Sequence, residues 1–148
     1  MKLYLDNCCY NRPFDDQSQA RIHLESAAVL SIVKRARAEK EIIIGSVALS
    51  LEMSKLSNVE KKQKVQVLYE IVKESIPFSL EIEERAEVIM EATSIRSFDA
   101  LHIALAEKGG ADYLLTTDDK FEKACAKITL ATKVINPLEY VTEVIGDE

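Results

Sequence analysis

The stretch from Ser97 to Phe121 constrains the fold more than any other part of the chain. Ser97-Phe98-Asp99-Ala100-Leu101-His102-Ile103-Ala104-Leu105-Ala106 has helical spacing with an acid in its first turn, and Gly109-Gly110 stops it. Tyr113-Leu114-Leu115-Thr116 is then a short apolar strand, and Thr117-Asp118-Asp119-Lys120-Phe121 opens another helix with hydroxyls and acids. Helix, strand and helix start in succession are the parts of a parallel sheet, and they carry their acids to one edge of it.

The remaining segments repeat the pattern. Lys2-Leu3-Tyr4-Leu5-Asp6 reads as a buried strand ending in an acid, and Asn7 to Asp16, with Pro13 inside it, as a turn-rich connection. Ser18 to about Lys40 is the longest helix, with Ile22, Val29, Val33 and Ala36 on one face and Asp15 or Asp16 as candidate caps. Glu41-Ile42-Ile43-Ile44-Gly45 is a central strand, and Ser46 starts a helix carrying Glu52. A helix from Asn58 to about Glu74 leads to Ser75-Ile76-Pro77-Phe78-Ser79, an edge strand that tolerates proline. Further helices are expected at about 81–93 and 119–127, a last strand at 133–135 and a Pro137-led terminal helix.

Alternating strands and helices predict an α/β fold, a three-layer α/β/α sandwich around a parallel sheet of about five strands with right-handed crossovers. At 148 residues, the chain fits one domain spanning 1–148. Ligands of such sheets bind beyond the carboxyl ends of the strands. Asp6 and Asp118 lie at those ends, and the helices bearing Glu52 and Asp99 run back from the same edge. Acids from four distant parts of the chain therefore converge.

Clustered carboxylates repel one another, and without a counter-charge at least one pKa should rise. A hard divalent cation removes the conflict, and Mg²⁺ or Mn²⁺ suits an all-oxygen donor set that shares its remaining positions with water and phosphate. No His or Cys cluster competes for zinc. A cation held this way can activate water and neutralise charge on a phosphodiester, so the acids suggest phosphodiester hydrolysis. The net charge of −6 excludes a surface that grips nucleic acid everywhere, which leaves a local or metal-mediated contact.

The C-terminal motif resembles that of PIN-domain ribonucleases, with Asp99 opening the helix and Thr116, Asp118 and Phe121 following the next strand. Leu5-Asp6 and Ser46-Val47-Ala48-Leu49-Ser50-Leu51-Glu52 look like the first two signatures of the family, in the expected order. The resemblance spans nearly the whole chain. It implies a Mg²⁺- or Mn²⁺-dependent endoribonuclease, VapC-like and the toxin of a toxin–antitoxin pair, with an antitoxin protein as partner and a homodimer as the assembly. It also implies that Asp6, Glu52, Asp99 and Asp118 are the metal-site and catalytic acids, with Thr116 in support and Asp119 as an extra or substitute ligand. The segment Asn7-Cys8-Cys9-Tyr10-Asn11-Arg12-Pro13-Phe14 departs from the usual small or aliphatic helix start and bears on substrate choice.

Single residues also have plainer readings. Asp99 alone fits a helix-start acid favoured by the dipole, Asp118 an N-cap, and Asp6 a turn residue. Arg12 could meet a substrate phosphate or pair with Asp15 or Asp16. His102 is assigned a packing or surface role, because metal-bound water needs no histidine base. Cys8, Cys9 and Cys125 are an odd number without Cys-x-x-Cys spacing, so no disulfide and a reducing cytoplasm are expected, and no segment has the length of a signal peptide core or a membrane span. The alternative function is a catalytically silent PIN-like module that binds RNA or protein. A phosphoacceptor receiver domain is disfavoured, since it needs an aspartate closing the third strand, where this chain has Phe78-Ser79.

Overall fold

Leu3, Tyr4 and Leu5 of the first strand have no solvent exposure at all, and everything else is arranged about them. The structure, a computed structural model, describes residues 1–146. Strands β1 (Lys2–Leu5), β2 (Ile42–Ser46), β3 (Glu74–Ile76), β4 (Tyr113–Leu115) and β5 (Lys133–Ile135) form one five-stranded sheet in the order β3-β2-β1-β4-β5. Every neighbouring pair is parallel. Continuous apolar runs such as Ile43-Ile44 and Leu114-Leu115 are what burial on both faces requires.

Eight α-helices complete the α/β/α sandwich among the described residues: α1 (Asn7–Asn11), α2 (Ala20–Arg37), α3 (Val47–Ser54), α4 (Val59–Tyr69), α5 (Leu80–Ala92), α6 (Ser97–Lys108), α7 (Asp119–Cys125) and α8 (Pro137–Glu139). A π-helical turn, Tyr140–Ile145, follows α8. α6 ends at Gly109, and Gly110 takes φ of +73°, a left-handed conformation that a side chain would strain. A side chain on Gly45 would collide with the Tyr69 ring, whose hydroxyl oxygen accepts from the Ser46 amide at 3.1 Å.

Three expectations need correction. Asn7 to Phe14 is not a turn-rich loop but α1 followed by a 3-10 turn over Arg12–Phe14, because Cys9 and Tyr10 are fully buried and tertiary packing overrides weak local propensity. Neither Asp15 nor Asp16 caps α2, whose N-cap is Gln19 without a side-chain bond. Asp15 is instead paired with Arg12 and Lys61, and Asp16 accepts from Ser18. α4 stops at Tyr69, not near Glu74, since Glu74 is already paired with Ile44 in the sheet.

The register fixes the edge that matters. Leu5 lies opposite Leu115, and the Asp6 amide donates to the Leu115 carbonyl at 2.9 Å, which sets Asp6 and Thr116 side by side. Ser46 ends β2 on the other flank of β1. Asp6, Ser46 and Thr116 thus sit at the carboxyl ends of the middle three strands.

Candidate metal centre at the carboxyl edge of the sheet

Asp6 is 8% exposed and does several jobs. Its Oδ1 accepts from the Asn7 amide at 2.8 Å and so caps α1, while its Oδ2 accepts from the Thr116 hydroxyl at 2.9 Å. Thr116 Oγ1 in turn accepts from the Asp118 amide at 3.2 Å. Asp118 caps α7, its Oδ1 accepting from the Lys120 and Phe121 amides at 3.0 and 3.2 Å. One threonine hydroxyl therefore ties the end of β1 to the start of α7.

Glu52 arrives from the opposite side. Ser46 Oγ accepts from the Leu49 amide at 3.2 Å and sets the direction of α3, which places Glu52 in the helix's second turn. Its carboxylate meets Nε2 of His102 in a short hydrogen bond. A carboxylate only accepts, so Nε2 carries the proton. On the other side of the ring, Nδ1 bonds the Tyr4 hydroxyl at 2.6 Å, and that hydroxyl bonds Ser46 Oγ at 2.6 Å. His102 and Tyr4 are both buried, so a closed polar chain runs from β2 through β1 and α6 to Glu52.

The electrostatics are those of a charge cluster. Burial raises the Asp99 pKa to about 6, with Asp6, Asp118 and Glu52 pushing the same way and His102 opposing. For His102, burial favours the neutral ring, but the Glu52 hydrogen bond and the nearby Asp6, Glu52 and Asp99 outweigh it and hold the pKa above the ordinary imidazole value. Ligand atoms of Asp6, Glu52 and His102 lie within 4.8 Å of one another. Asp99 and Asp118 line a neighbouring cavity of about 340 Å³ with Arg96, Lys120 and Phe121.

Asp6, Glu52, Asp99 and Asp118 thus meet at one edge, with Thr116 between two of them. Asp119 does not join them: it is exposed and held by both terminal nitrogens of Arg21 at 2.8 Å, which keeps its pKa below the usual carboxylate range. Arg12 is paired with Glu25 at 2.9 Å and Asp15 at 3.3 Å, the latter one of the two ion pairs its sequence position offered. His102 is more than packing, since it is wired to a site carboxylate. The available signal was its position one helical turn after Asp99 on the same face.

Carboxylate oxygens with a nearby hydroxyl are a donor set for a hard divalent cation, and the upward shift of Asp99 comes first from burial and then from the neighbouring acids. Among the described residues no helix is long and apolar enough to cross a membrane, and Cys8, Cys9 and Cys125 are free thiols.

Comparison with known proteins agrees with the geometry. No curated protein matches the sequence. Among solved structures, VapBC2 from Rickettsia felis, bound to a DNA fragment from its promoter, has a similar fold at 17% identity and a TM-score of 0.60. The match covers 92% of this chain and 98% of that one. The sequence profile of the PIN domain matches residues 4–127. That span takes in Asp6, Glu52, Asp99 and Asp118 together, and on it the chain belongs to the PIN domain family, whose members are generally nucleases that use divalent metals.

Proposed function

We propose that the chain is a Mg²⁺- or Mn²⁺-dependent endoribonuclease working as a single domain over residues 1–148. The observation that carries this reading is that Asp6 and Glu52 come within ligand range of one another, with Asp99 and Asp118 close enough to add to the same charge cluster, and that no lysine or arginine among the described residues is bonded to any of the four. A bound divalent cation supplies a polarised water and neutralises charge developing on a phosphodiester. Asp6 and Glu52 would hold it, with Asp99 and Asp118 adding carboxylate oxygens, and Thr116 fixes Asp6 by donating to its Oδ2. His102 keeps the Glu52 carboxylate aimed.

The fold likeness to VapBC2 and the family resemblance support the role of toxin in a toxin–antitoxin pair with an antitoxin as protein partner, and the family resemblance alone adds a homodimer as assembly; the compartment proposed is the cytoplasm. The test is cleavage of a single-stranded RNA by the full chain in Mn²⁺ and in EDTA, beside Asp99→Asn. Cleavage that needs the metal and disappears in Asp99→Asn is expected. Cleavage that survives in Asp99→Asn removes the site, and RNA binding without cleavage in any divalent metal supports the silent binding module instead.

A further inference from the structure

A strand held by a metal alone is held at one phosphate, so a nuclease of net charge −6 needs local cations to seat the next one. Most cations near the acids are already used. Arg12 and Arg21 are bound to Glu25, Arg21 also to Asp119, and Lys61 to Asp15. Arg96 and Lys120 differ. Both are exposed, both line the cavity of about 340 Å³ that opens on Asp99 and Asp118, and neither side chain forms an ion pair or hydrogen bond with another described residue.

We infer that Arg96 and Lys120 form a phosphate subsite for the nucleic-acid strand, beside the acids and in the cavity that Asp99 and Asp118 line. The inference rests on the nuclease reading of the acid edge and extends it to substrate seating. Arg96 directly precedes α6 and Lys120 lies in the first turn of α7, so the two cations stand beside Asp99 and Asp118 respectively. A planar guanidinium takes a phosphate through two parallel N–H donors, and an ammonium serves as a mobile point charge beside it. A divalent cation would offset part of the acids' negative charge, leaving Arg96 and Lys120 to supply the positive charge that faces a phosphate. Without it, Asp99 and Asp118 repel a phosphate, so seating of the strand depends on both.

The α1 segment and the turn after it offer a cation that is already paired. The basic residue there, Arg12, holds α2 through Glu25. The phosphate-binding cations come from the two helix starts that carry the acids.

The test is binding of a fluorescein-labelled single-stranded oligoribonucleotide of roughly ten nucleotides to the full chain, by anisotropy across a salt series. Ca²⁺ serves as the cation, since it takes oxygen ligands without demanding the octahedral geometry of Mg²⁺. Arg96→Gln and Lys120→Gln are each expected to weaken binding about tenfold and to flatten the salt dependence by about 0.7 in slope for each phosphate no longer neutralised. Lys34→Gln is the charge-matched control, because Lys34 lies in the last turn of α2, far from the acids. Both target side chains are exposed, and thermal melts of all three variants check that folding is intact. If Arg96→Gln and Lys120→Gln shift binding and slope no more than Lys34→Gln while the unaltered protein still cleaves RNA in Mn²⁺, the subsite is overturned and the nuclease stands. If the unaltered protein does not cleave but the two variants still lose binding and slope, the subsite is supported and the nuclease reading falls. If the unaltered protein shows no salt-dependent binding, the subsite is overturned.

Discussion

The protein handles two groups of acids in opposite ways. Glu25 is 1% exposed and accepts from Arg12 at 2.9 Å, Arg21 at 3.1 Å and Asn136 at 2.6 Å. Glu41, 3% exposed, is met by Arg35 and by the Tyr140 hydroxyl at 3.0 Å. Asp6, Glu52, Asp99 and Asp118 gather with no guanidinium or ammonium of the described residues bonded to any of them, only His102 on Glu52. The first pair are structural: their charges are cancelled from within, and they lock α2 and the C-terminal segment to the sheet. The second set is left short of positive charge, which is the condition under which an external cation binds. A carboxylate's burial says little about its role; the origin of its counter-charge says much.

Substitution can break this contrast, and the largest effect belongs to the balanced acids. Arg12→Ala should cost about 3 kcal/mol in urea unfolding, because it strips a partner from a buried Glu25. A loss below about 1 kcal/mol would make Glu25 no more than a surface acid. Next comes Asp118→Asn, which should leave the metal-free protein as stable as before, or more so, while removing the stabilisation that Mn²⁺ confers on the folded state. That stabilisation is about 2.7 kcal/mol at a hundred times the dissociation constant. Equal Mn²⁺-induced shifts in Tm for both proteins would detach Asp118 from the metal centre.

A smaller effect tests the polar chain behind Glu52. His102→Gln should weaken Mn²⁺ binding about tenfold by calorimetry, the usual cost of losing the residue that orients a ligand. Tyr4→Phe should lose part of the same affinity and add little in the double variant, since the two act in series. Additive losses would mean that Tyr4 and His102 act separately.

The smallest effect is a pH dependence with an uncommon sign. The Asp99 pKa is raised to about 6 in the folded metal-free protein, so folding takes up a proton. The associated stability is present below the ordinary carboxylate pKa and is lost as pH rises through about 6. Partial exposure screens it to about 1 kcal/mol. Asp99→Asn should therefore be more stable than the unaltered protein at pH 7 in EDTA, with the gap closing below about pH 4. A gap that does not change with pH would mean Asp99 is not the titrating group.

What could be read from the sequence follows from how local each cause is. The β1, β2 and β4 segments are visible because they are apolar runs buried in the middle of the sheet, and Asp6, Asp99 and Asp118 because strand ends and helix starts are marked by nearby residues. Glu52 stands out among Leu49, Leu51 and Met53. The rest depends on partners far along the chain. Asp119 is removed from the centre by Arg21, 98 residues away, and Arg12 is taken by Glu25. His102 becomes part of the site through Glu52, 50 residues away. α1 has no apolar periodicity of its own and exists because Cys9 and Tyr10 fit the core.

The middle position of β1, between β2 and β4, has a consequence for how the centre would load. Strands flanked on both sides open only when the whole domain does, so the backbone around Asp6 should be among the slowest in the molecule to exchange its amide hydrogens. An incoming ion would then find a rigid socket rather than mould one, and its uptake would carry little ordering entropy.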